Sequence, residues 1–145
     1  MTLERAEEAK AAARRLYNTL NAVMRSGDLS LLDAVIAPHV VDHDAEPGQA
    51  AGLEGIKAGF GELRAAFPDL RFSIDDMLAE ENRVACRVSG RGTHEGLFAG
   101  AEATGRTVNW TLIDILHFES GRLVERWGVV DALGLLQQIG IAPAP

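Results

Sequence analysis

The stretch from residue 109 to residue 140 constrains the fold more than any other part of the chain. Trp110 to Phe118 and Leu123 to Val130 are two runs rich in aliphatic and aromatic residues. The four residues between them, Glu119-Ser120-Gly121-Arg122, are typical of a tight turn. The stretch therefore predicts two antiparallel strands joined as a β-hairpin.

The register of this hairpin decides which side chains share a face, because side chains alternate between the two faces of a sheet. With Ser120 and Gly121 at the centre of the turn, Asp114 is predicted to lie opposite Trp127. One face would then carry Trp110, Leu112, Asp114, Leu116, Phe118, Leu123, Glu125, Trp127 and Val129. The other would carry Ile113, Ile115, His117, Val124, Arg126 and Val130. The first face mixes large aromatic residues with carboxylates, which indicates a pocket rather than a plain core.

Length and composition bound the class of protein. With 145 residues, 47% of them apolar, the chain is predicted to form a single domain over residues 1–145 with a substantial core. The formal net charge of -7 disfavours nucleic acid as a partner, since phosphate contacts need clustered Lys and Arg. No apolar run approaches the roughly 20 residues that span a bilayer, and the charged N-terminal segment does not resemble a secretion signal. We therefore expect a cytoplasmic protein without a membrane partner.

The N-terminal half is predicted to be mainly helical. Apolar residues recur at three- and four-residue spacing up to about Arg25, which predicts a first helix. A short second helix is expected over residues 31–37, and a third over residues 53–67. The polar segment 39–47 between them is predicted to be irregular. After residue 69 the apolar period changes to two, which indicates strands, and residues 132–139 predict a closing helical turn.

Helices followed by antiparallel strands predict an α+β domain, with three N-terminal helices packed on a curved, mainly antiparallel sheet. Pieces spread along most of the chain resemble, in their order and spacing, the SnoaL-like polyketide cyclases (ester cyclases) of the NTF2-like superfamily. These pieces are Gly27-Asp28-Leu29, His39 to His43, Gly52 to Gly55, Ala66 to Leu70, Gly92 to Gly96, Thr104-Gly105-Arg106, Gly121 to Trp127, Asp131, and Gln138-Ile139-Gly140. The resemblance implies a cone-shaped α+β barrel with a deep apolar pocket, no cofactor, and a homodimer or homotetramer.

The resemblance is less complete at the catalytic position. In the characterised cyclases, an Asp in the return strand of the last hairpin acts as acid and base for an intramolecular aldol closure. Aligned on the turn, that Asp matches Gly128, which has no side chain, and a His of the outgoing strand matches Asp114. Asp131 matches an acidic position of the family three residues further on. The resemblance thus implies the pocket of the family. The residue at the catalytic position, Gly128, departs from the family pattern.

The residues that can transfer a proton are the candidate catalytic groups. Asp114 facing Trp127 is predicted to be a base, because an apolar pocket raises the pKa of a carboxyl group. The alternative for Asp114 is an ion pair with a buried Arg. Asp131 is predicted to be either a second pocket acid or the N-cap of the closing helix. His94 and His43 are the candidate proton donors. The alternative for His94 is a structural role, with a ring nitrogen bonded to the backbone. The alternative for His43 is a position in a solvated loop.

Six residues are predicted to bind the substrate, namely Trp127, Tyr17, Met24, Trp110, Glu125 and Phe60. On the inner face Glu125 would need a cationic partner, for which Arg87, Arg91 and Arg106 are the candidates. No metal site is predicted, because no His-Glu-x-x-His spacing occurs. His117 falls on the other face with Ile113 and Ile115, which indicates an oligomer surface.

These features favour a cofactor-independent enzyme of the lyase or isomerase class that acts on a small apolar, polyketide-like molecule. Asp114 or Asp131 would be the base, and His94 or His43 would donate to the carbonyl oxygen during cyclisation or isomerisation. One alternative is an epoxide hydrolase or rearrangement enzyme, in which Asp114 and Asp131 together polarise a water molecule. The other is a non-catalytic dimeric protein that binds a small molecule.

Overall fold

The computed structural model describes residues 2–143. In chain order the elements are helix α1 (Thr2–Ser26), a 3-10 helix (Leu29–Ala34), strand β1 (Ile36–Asp42), helix α2 (Gly52–Ala66), strands β2 (Arg71–Glu80), β3 (Arg83–Thr93), β4 (Thr107–Glu119) and β5 (Arg122–Val130), and helix α3 (Ala132–Gln138). None of these helices is both long and apolar enough to cross a membrane.

The helices form where the apolar spacing predicts them. On α1, Leu16, Leu20 and Val23 are buried on one stripe that faces the core. The helix ends because Gly27 adopts a positive φ of 75° and donates its N–H to the Val23 carbonyl at 2.7 Å. Helices α2 and α3 begin and end within one residue of the predicted bounds. The predicted first helix, third helix and closing turn are therefore confirmed.

The prediction is wrong for the segment after α1. The 3-10 helix begins after Asp28, whose carboxylate accepts the N–H of Ser30 at 3.1 Å, and it ends at Ala34. Residues 36–42 form strand β1 in place of a helix end and an irregular loop. Pro38 is tolerated there because β1 lies at the edge of the sheet.

The five strands form one open, mixed sheet in the order β1-β5-β4-β3-β2. Strand β1 pairs parallel with β5, and the other pairs are antiparallel. The predicted α+β class is confirmed. In the described part of the chain the sheet is not closed into a barrel, and four helical segments are present, of which α3 follows the strands.

A β-bulge in the last hairpin changes the predicted register. The turn itself is as predicted, since Ser120 and Gly121 both have positive φ and Phe118 pairs with Leu123. The next pair is His117 with Glu125, so one extra residue, Val124, is accommodated in β5. From this bulge onward every partner in β5 is shifted by one residue.

This one-residue shift exchanges the two faces of β5. Asp114 pairs with Gly128 rather than with Trp127, and Leu116 pairs with Arg126. Arg126 and Gly128 therefore lie on the inner face, which α1 covers. The predictions that Glu125 and Trp127 face inward, and that Arg126 faces outward, are wrong. The outer face carries Ile113, Ile115, His117, Glu125, Trp127 and Val129.

Helix α1 also protects the edge of the sheet at β2. The Asn21 side-chain amide donates to the Phe72 carbonyl at 2.9 Å, and the Phe72 N–H donates back to Asn21 Oδ1 at 2.8 Å. The amide thus takes both hydrogen bonds that a neighbouring strand would make at this residue.

Candidate active site

Four side chains form a connected hydrogen-bond network on the inner face of the sheet, which we call the Asp114 network. Arg126 donates to Asp114 Oδ1 through Nε at 3.0 Å, and its Nη2 lies 2.9 Å from the same oxygen as an ion pair. The Tyr17 hydroxyl donates to Asp114 Oδ2. Arg126 also donates through Nη1 to Asp42 Oδ1 at 2.9 Å. Asp114 is only 5% exposed, so this carboxylate depends on its protein partners rather than on water.

Each member of the network comes from a different element. Asp114 lies in the middle of β4, directly between Cys86 of β3 and Gly128 of β5. Tyr17 reaches it from the buried stripe of α1. Asp42 is the last residue of β1, and the parallel pairing with β5 sets it beside Arg126. The network therefore depends on contacts between parts of the chain that are far apart in sequence.

Gly128 leaves the space that this network fills. A Cβ atom at position 128 would lie 2.2 Å from Arg126 Nη2 and 2.4 Å from Asp114 Oδ1. The backbone N–H of Gly128 donates to Asp44 Oδ2 at 2.7 Å. Because Asp114 and Gly128 are direct partners across the ladder, a carboxylate is present at this point of the sheet although residue 128 has no side chain.

Burial and charge set the protonation of the groups around Asp114. Burial, followed by the charge and hydrogen bond of Asp114, raises the pKa of the Tyr17 hydroxyl far above its ordinary value. Burial acts to lower the pKa of Arg126, but the carboxylates of Asp114 and Asp42 outweigh it and raise that pKa. Burial and the Asp114 charge raise the pKa of the Cys86 thiol to about 12. At neutral pH the network thus has a neutral phenol and a charged guanidinium, beside a protonated thiol.

Three of the predicted substrate-binding residues lie on the helical side of the network. Tyr17 is a member of it, and its ring packs against Phe72 with the centroids 6.4 Å apart. Phe60 packs edge-on against the same Phe72 ring, also at 6.4 Å. Met24 is almost completely buried in the core. The structure therefore brings Tyr17 and Phe60 into one aromatic cluster and leaves Met24 as a core residue.

His94 lies just beyond the end of β3, away from Asp114 in the middle of β4. Its Nδ1 accepts the Thr104 N–H at 3.3 Å, and its ring packs against Phe67 with the centroids 5.5 Å apart. His94 follows Cys86, the partner of Asp114, by eight residues, which is about 26 Å along an extended strand. Trp110 also contacts Phe67, at 5.3 Å between ring centroids. His94 and Asp114 are therefore too far apart to act on the same bond.

His43, Glu125 and Trp127 meet on the outer face rather than beside Asp114. Glu125 lies between His43 Nε2 at 2.7 Å and His117 Nδ1 at 3.2 Å. His43 stacks on Trp127, with the ring centroids 4.5 Å apart. Hydrogen bonds from the two histidines hold the pKa of Glu125 below its ordinary value. The arginine partners predicted for Glu125 are wrong, because His43 and His117 are the side chains that it contacts.

Asp131 is an exposed helix cap. Its Oδ1 accepts the N–H of Gly134 at 2.9 Å at the start of α3, and its own N–H donates to the Thr111 carbonyl. Thr111 lies on the outer face of β4, whereas Asp114 lies on the inner face. The capping alternative is the one that the structure adopts, and Asp114 and Asp131 do not converge on one water site.

Sequence reasoning missed Arg126, the residue that joins the two inner carboxylates. A hairpin without a bulge places Arg126 on the outer face, and only the extra residue in β5 turns it inward. Residues 2–143 bring together no group of three or more His, Cys, Asp or Glu side chains arranged to hold a metal ion.

A groove of about 550 Å³ lies between α1 and the edge strand β2, and Tyr17 is part of its lining. It is an open, partly charged groove, unlike the deep apolar pocket that the resemblance implies. Arg14 and Asn18 line it from the helix, and Arg71 and Met77 line it from the strand. The groove and the Asp114 network therefore share one residue, Tyr17.

Comparisons with known proteins identify relatives of this chain. It is 29% identical to TsrD from Streptomyces laurentii, with a TM-score of 0.80 over 90% of this chain and 96% of that one. It is 33% identical to AclR from Streptomyces galilaeus, a proposed hydroxylase, with a TM-score of 0.78 over 97% and 85% of the two chains. It is 30% identical to IdmH from Streptomyces antibioticus, a proposed polyketide cyclase, with a TM-score of 0.77 over 91% and 98%.

No curated protein sequence matches this chain. A model of the SnoaL-like polyketide cyclase family matches residues 14–139, which include the Asp114 network and the whole sheet. The open sheet with helices on one face is the NTF2-like fold of the solved relatives. The chain thus belongs to the SnoaL-like polyketide cyclase family.

Proposed function

We propose that this protein is a cofactor-independent enzyme that cyclises or isomerises a small carbonyl compound by proton transfer at Asp114. The observation that carries the proposal is the position of the buried Asp114 carboxylate, which lies directly across the ladder from Gly128. Two donors, Arg126 and Tyr17, hold its two oxygens. Membership of the cyclase family and the likeness to a proposed cyclase support the same class of reaction.

The network contains the groups that such a reaction needs. A substrate that displaces the Tyr17 hydroxyl from Asp114 Oδ2 exposes this oxygen as a base for a C–H beside a carbonyl. The proton moves to Asp114, and the electron pair moves onto the carbonyl oxygen to form an enolate. The released Tyr17 hydroxyl donates a hydrogen bond to the enolate oxygen. When the enolate carbon attacks a second carbonyl, the proton returns from Asp114 to the new alkoxide.

Proton exchange tests this proposal without knowledge of the natural substrate. A panel of aryl ketones, 2-tetralone among them, is incubated with the protein in D₂O, and loss of the C–H signal next to the carbonyl is followed by proton NMR. We expect exchange faster than in buffer for at least one ketone. If the protein binds these ketones but never accelerates exchange, the non-catalytic binding role replaces the proposal.

A second candidate function is epoxide hydrolysis, and one observation favours it. Arg126 bridges two carboxylates, Asp114 and Asp42, so that two acids share one cation on the inner face. In this scheme one carboxylate takes a proton from water while the water oxygen attacks an epoxide carbon. The other carboxylate, protonated, gives its proton to the epoxide oxygen as the C–O bond breaks. The product is a diol, and no cofactor is consumed.

The variant Asp42→Asn separates the two candidates. In the exchange reaction Asp42 only orients Arg126, so we expect the rate to fall by less than about tenfold. In epoxide hydrolysis Asp42 is one of the reacting pair, so its loss would lower hydrolysis of styrene oxide by about a thousandfold. The measurements are ketone exchange by NMR and diol formation by chromatography. If the wild type forms the diol and Asp42→Asn does not, epoxide hydrolysis is favoured over ketone proton exchange.

We also propose that the outer face of the sheet joins two copies of the chain. Exposed apolar side chains on this face include Ile113 by 49%, Ile115 by 42% and Val129 by 69%. The strand pairing adds Val41, exposed by 50%, and Leu78, exposed by 72%. Trp127, under the His43 ring and beside the Arg83 guanidinium, extends the patch. Exposed apolar surface of this kind is typical of protein interfaces.

The variant Ile115→Asp tests this interface. A charge at the centre of the face opposes burial of the patch, so we expect a shift to smaller species in analytical ultracentrifugation. The matched control is Leu97→Asp, which adds the same charge at an exposed apolar residue in the loop after β3, away from the outer face. An unchanged sedimentation coefficient for Ile115→Asp would argue against the interface.

A further inference from the structure

Three consecutive residues where β1 ends, Asp42, His43 and Asp44, contact β5 on both of its faces. We call them the 42–44 segment. On the inner face, Asp42 Oδ1 accepts Arg126 Nη1 at 2.9 Å. On the outer face, His43 Nε2 lies 2.7 Å from Glu125 Oε2. Successive side chains of an extended chain point to opposite sides, so the segment reaches both the inner network and the outer face.

The backbone of the segment holds the same strand. The N–H of His43 donates to the Arg126 carbonyl at 2.9 Å. Asp44 Oδ2 accepts the N–H of Gly128 at 2.7 Å, and the Asp44 N–H donates to Asp42 Oδ1 at 3.1 Å. Asp42 Oδ1 therefore accepts hydrogen bonds from the Arg126 guanidinium and from the turn of the segment together. The place of this carboxylate beside Arg126 thus depends on the conformation of the segment.

The His43 ring fixes the segment to the outer face. It stacks on Trp127 with the ring centroids 4.5 Å apart and the planes 6° from parallel. Its Nε2 is hydrogen-bonded to Glu125, whose other oxygen lies 3.2 Å from His117 Nδ1. His117 Nε2 in turn lies 3.0 Å from Asn82 Nδ2. The ring is thus held by side chains of β5, which are themselves held by β4 and by the turn between β2 and β3.

We propose that His43 is a positioning residue for the Asp114 network. Its ring, bound on the outer face, keeps the 42–44 segment against β5 and so keeps Asp42 on Arg126. Without the ring the segment would open more often, and Arg126 would lose its second carboxylate. The guanidinium would then hold Asp114 in a less defined orientation. The inference rests on the proposed function, because the orientation of Arg126 affects turnover only if Asp114 reacts.

Hydrogen exchange with solvent, followed by ¹⁵N NMR, tests this role without any substrate. The Gly128 amide reports on the segment, since its N–H donates to Asp44. The Arg126 Nε–H reports on the network, since it donates to Asp114 Oδ1 at 3.0 Å. Its signal is assigned by its absence in Arg126→Lys. The Phe72 amide, in the edge strand β2 at the far side of the sheet, is the reference for opening of the whole fold.

We expect His43→Ala to raise the exchange rates of the Gly128 amide and the Arg126 Nε–H about tenfold, because local opening of the segment exposes both. The Phe72 amide should stay within about twofold. The matched control is His117→Ala, which removes the other imidazole beside the same carboxylate but belongs to β4. All of its exchange rates should stay within about twofold of the wild type.

Three results would overturn the assignment. The first is an unchanged Arg126 Nε–H rate in His43→Ala, and the second is an equal rise in His117→Ala. The third is an equal rise at the Phe72 amide, which would mean that the variant loses stability throughout.

Two further variants separate the contacts of the ring. His43→Phe keeps an aromatic ring that can stack on Trp127, and His43→Gln keeps an N–H donor for Glu125. Each should raise the Arg126 Nε–H exchange rate less than His43→Ala does. If both variants match His43→Ala, neither contact holds the segment and the assignment is wrong.

Ketone proton exchange separates this inference from the proposed function. We expect His43→Ala to lower kcat about threefold and to leave KM unchanged, because it loosens Arg126 without removing a group that contacts the ketone. If His43→Ala changes neither kcat nor the Arg126 Nε–H rate while Asp114→Asn is inactive, the positioning role is wrong and the proposed function stands. If the Arg126 Nε–H responds as expected but Asp114→Asn keeps full activity, the proposed function is wrong and His43 still holds Arg126 in place.

Discussion

Asp114→Asn is expected to lower the rate of ketone proton exchange by about a thousandfold. The amide has nearly the shape of the carboxylate but cannot accept the substrate proton, and general-base catalysis contributes about 10²–10⁴ to rates. Arg126 keeps Asp42 as its partner, so we expect the fold to persist with a loss of about 1–3 kcal/mol in the free energy of unfolding. NMR exchange rates and urea unfolding curves measure the two effects separately.

The control for this result is Asp131→Asn. Asp131 is an exposed N-cap, and Asn is about as good a capping residue as Asp. Its exchange rate should stay within about twofold of the wild type. Full activity in Asp114→Asn would remove the catalytic assignment, and an inactive Asp131→Asn would move it to the start of α3.

Gly128→Asp is expected to destabilise the protein by about 3 kcal/mol and to abolish proton exchange rather than to improve it. The variant supplies the carboxylate that the characterised cyclases have at this position. In this chain, however, the new Cβ would meet Arg126 Nη2 at 2.2 Å and Asp114 Oδ1 at 2.4 Å. Both groups would have to move, and the buried ion pair between them would be broken. Thermal and urea unfolding measure the loss of stability.

The background variant Arg126→Ala shows whether the clash causes that loss. Without the guanidinium, the closest contact to the new Cβ disappears, so the added cost of Gly128→Asp should fall by at least about 1 kcal/mol. Additive effects of the two substitutions would mean that Gly128 is required for another reason, such as the hydrogen bond from its N–H to Asp44.

The local elements of this fold follow from local sequence signals. The apolar stripe of α1 and the Ser120-Gly121 turn act over a few residues, and both are present as predicted. Strand β1 has no such signal, because its partner β5 lies about eighty residues further along the chain. Residues 36–42 form a strand because they pair with β5. This tertiary contact outweighs the low strand propensity of the polar residues near the end of β1.

The candidate site was only partly predictable for the same reason. Asp114 could be singled out as a carboxylate in an apolar strand, and Tyr17 as a residue on a buried helical stripe. Their contact joins positions 97 residues apart, and no pattern in either segment encodes it. The bulge at Val124 shifts the register of β5 by one residue. This shift places Arg126 on the inner face and Glu125 and Trp127 on the outer face.

The Asn21 amide on Phe72 has a consequence for the solubility of the chain. Strand β2 ends the sheet, and an uncovered strand edge is a template for pairing with other molecules. The helix that supplies Asn21 precedes this strand in the chain, with about fifty residues between Asn21 and Phe72. Loss of α1 to proteolysis would uncover the edge and the apolar residues Phe72 and Ile74 together. Fragments that begin after α1 are therefore expected to aggregate.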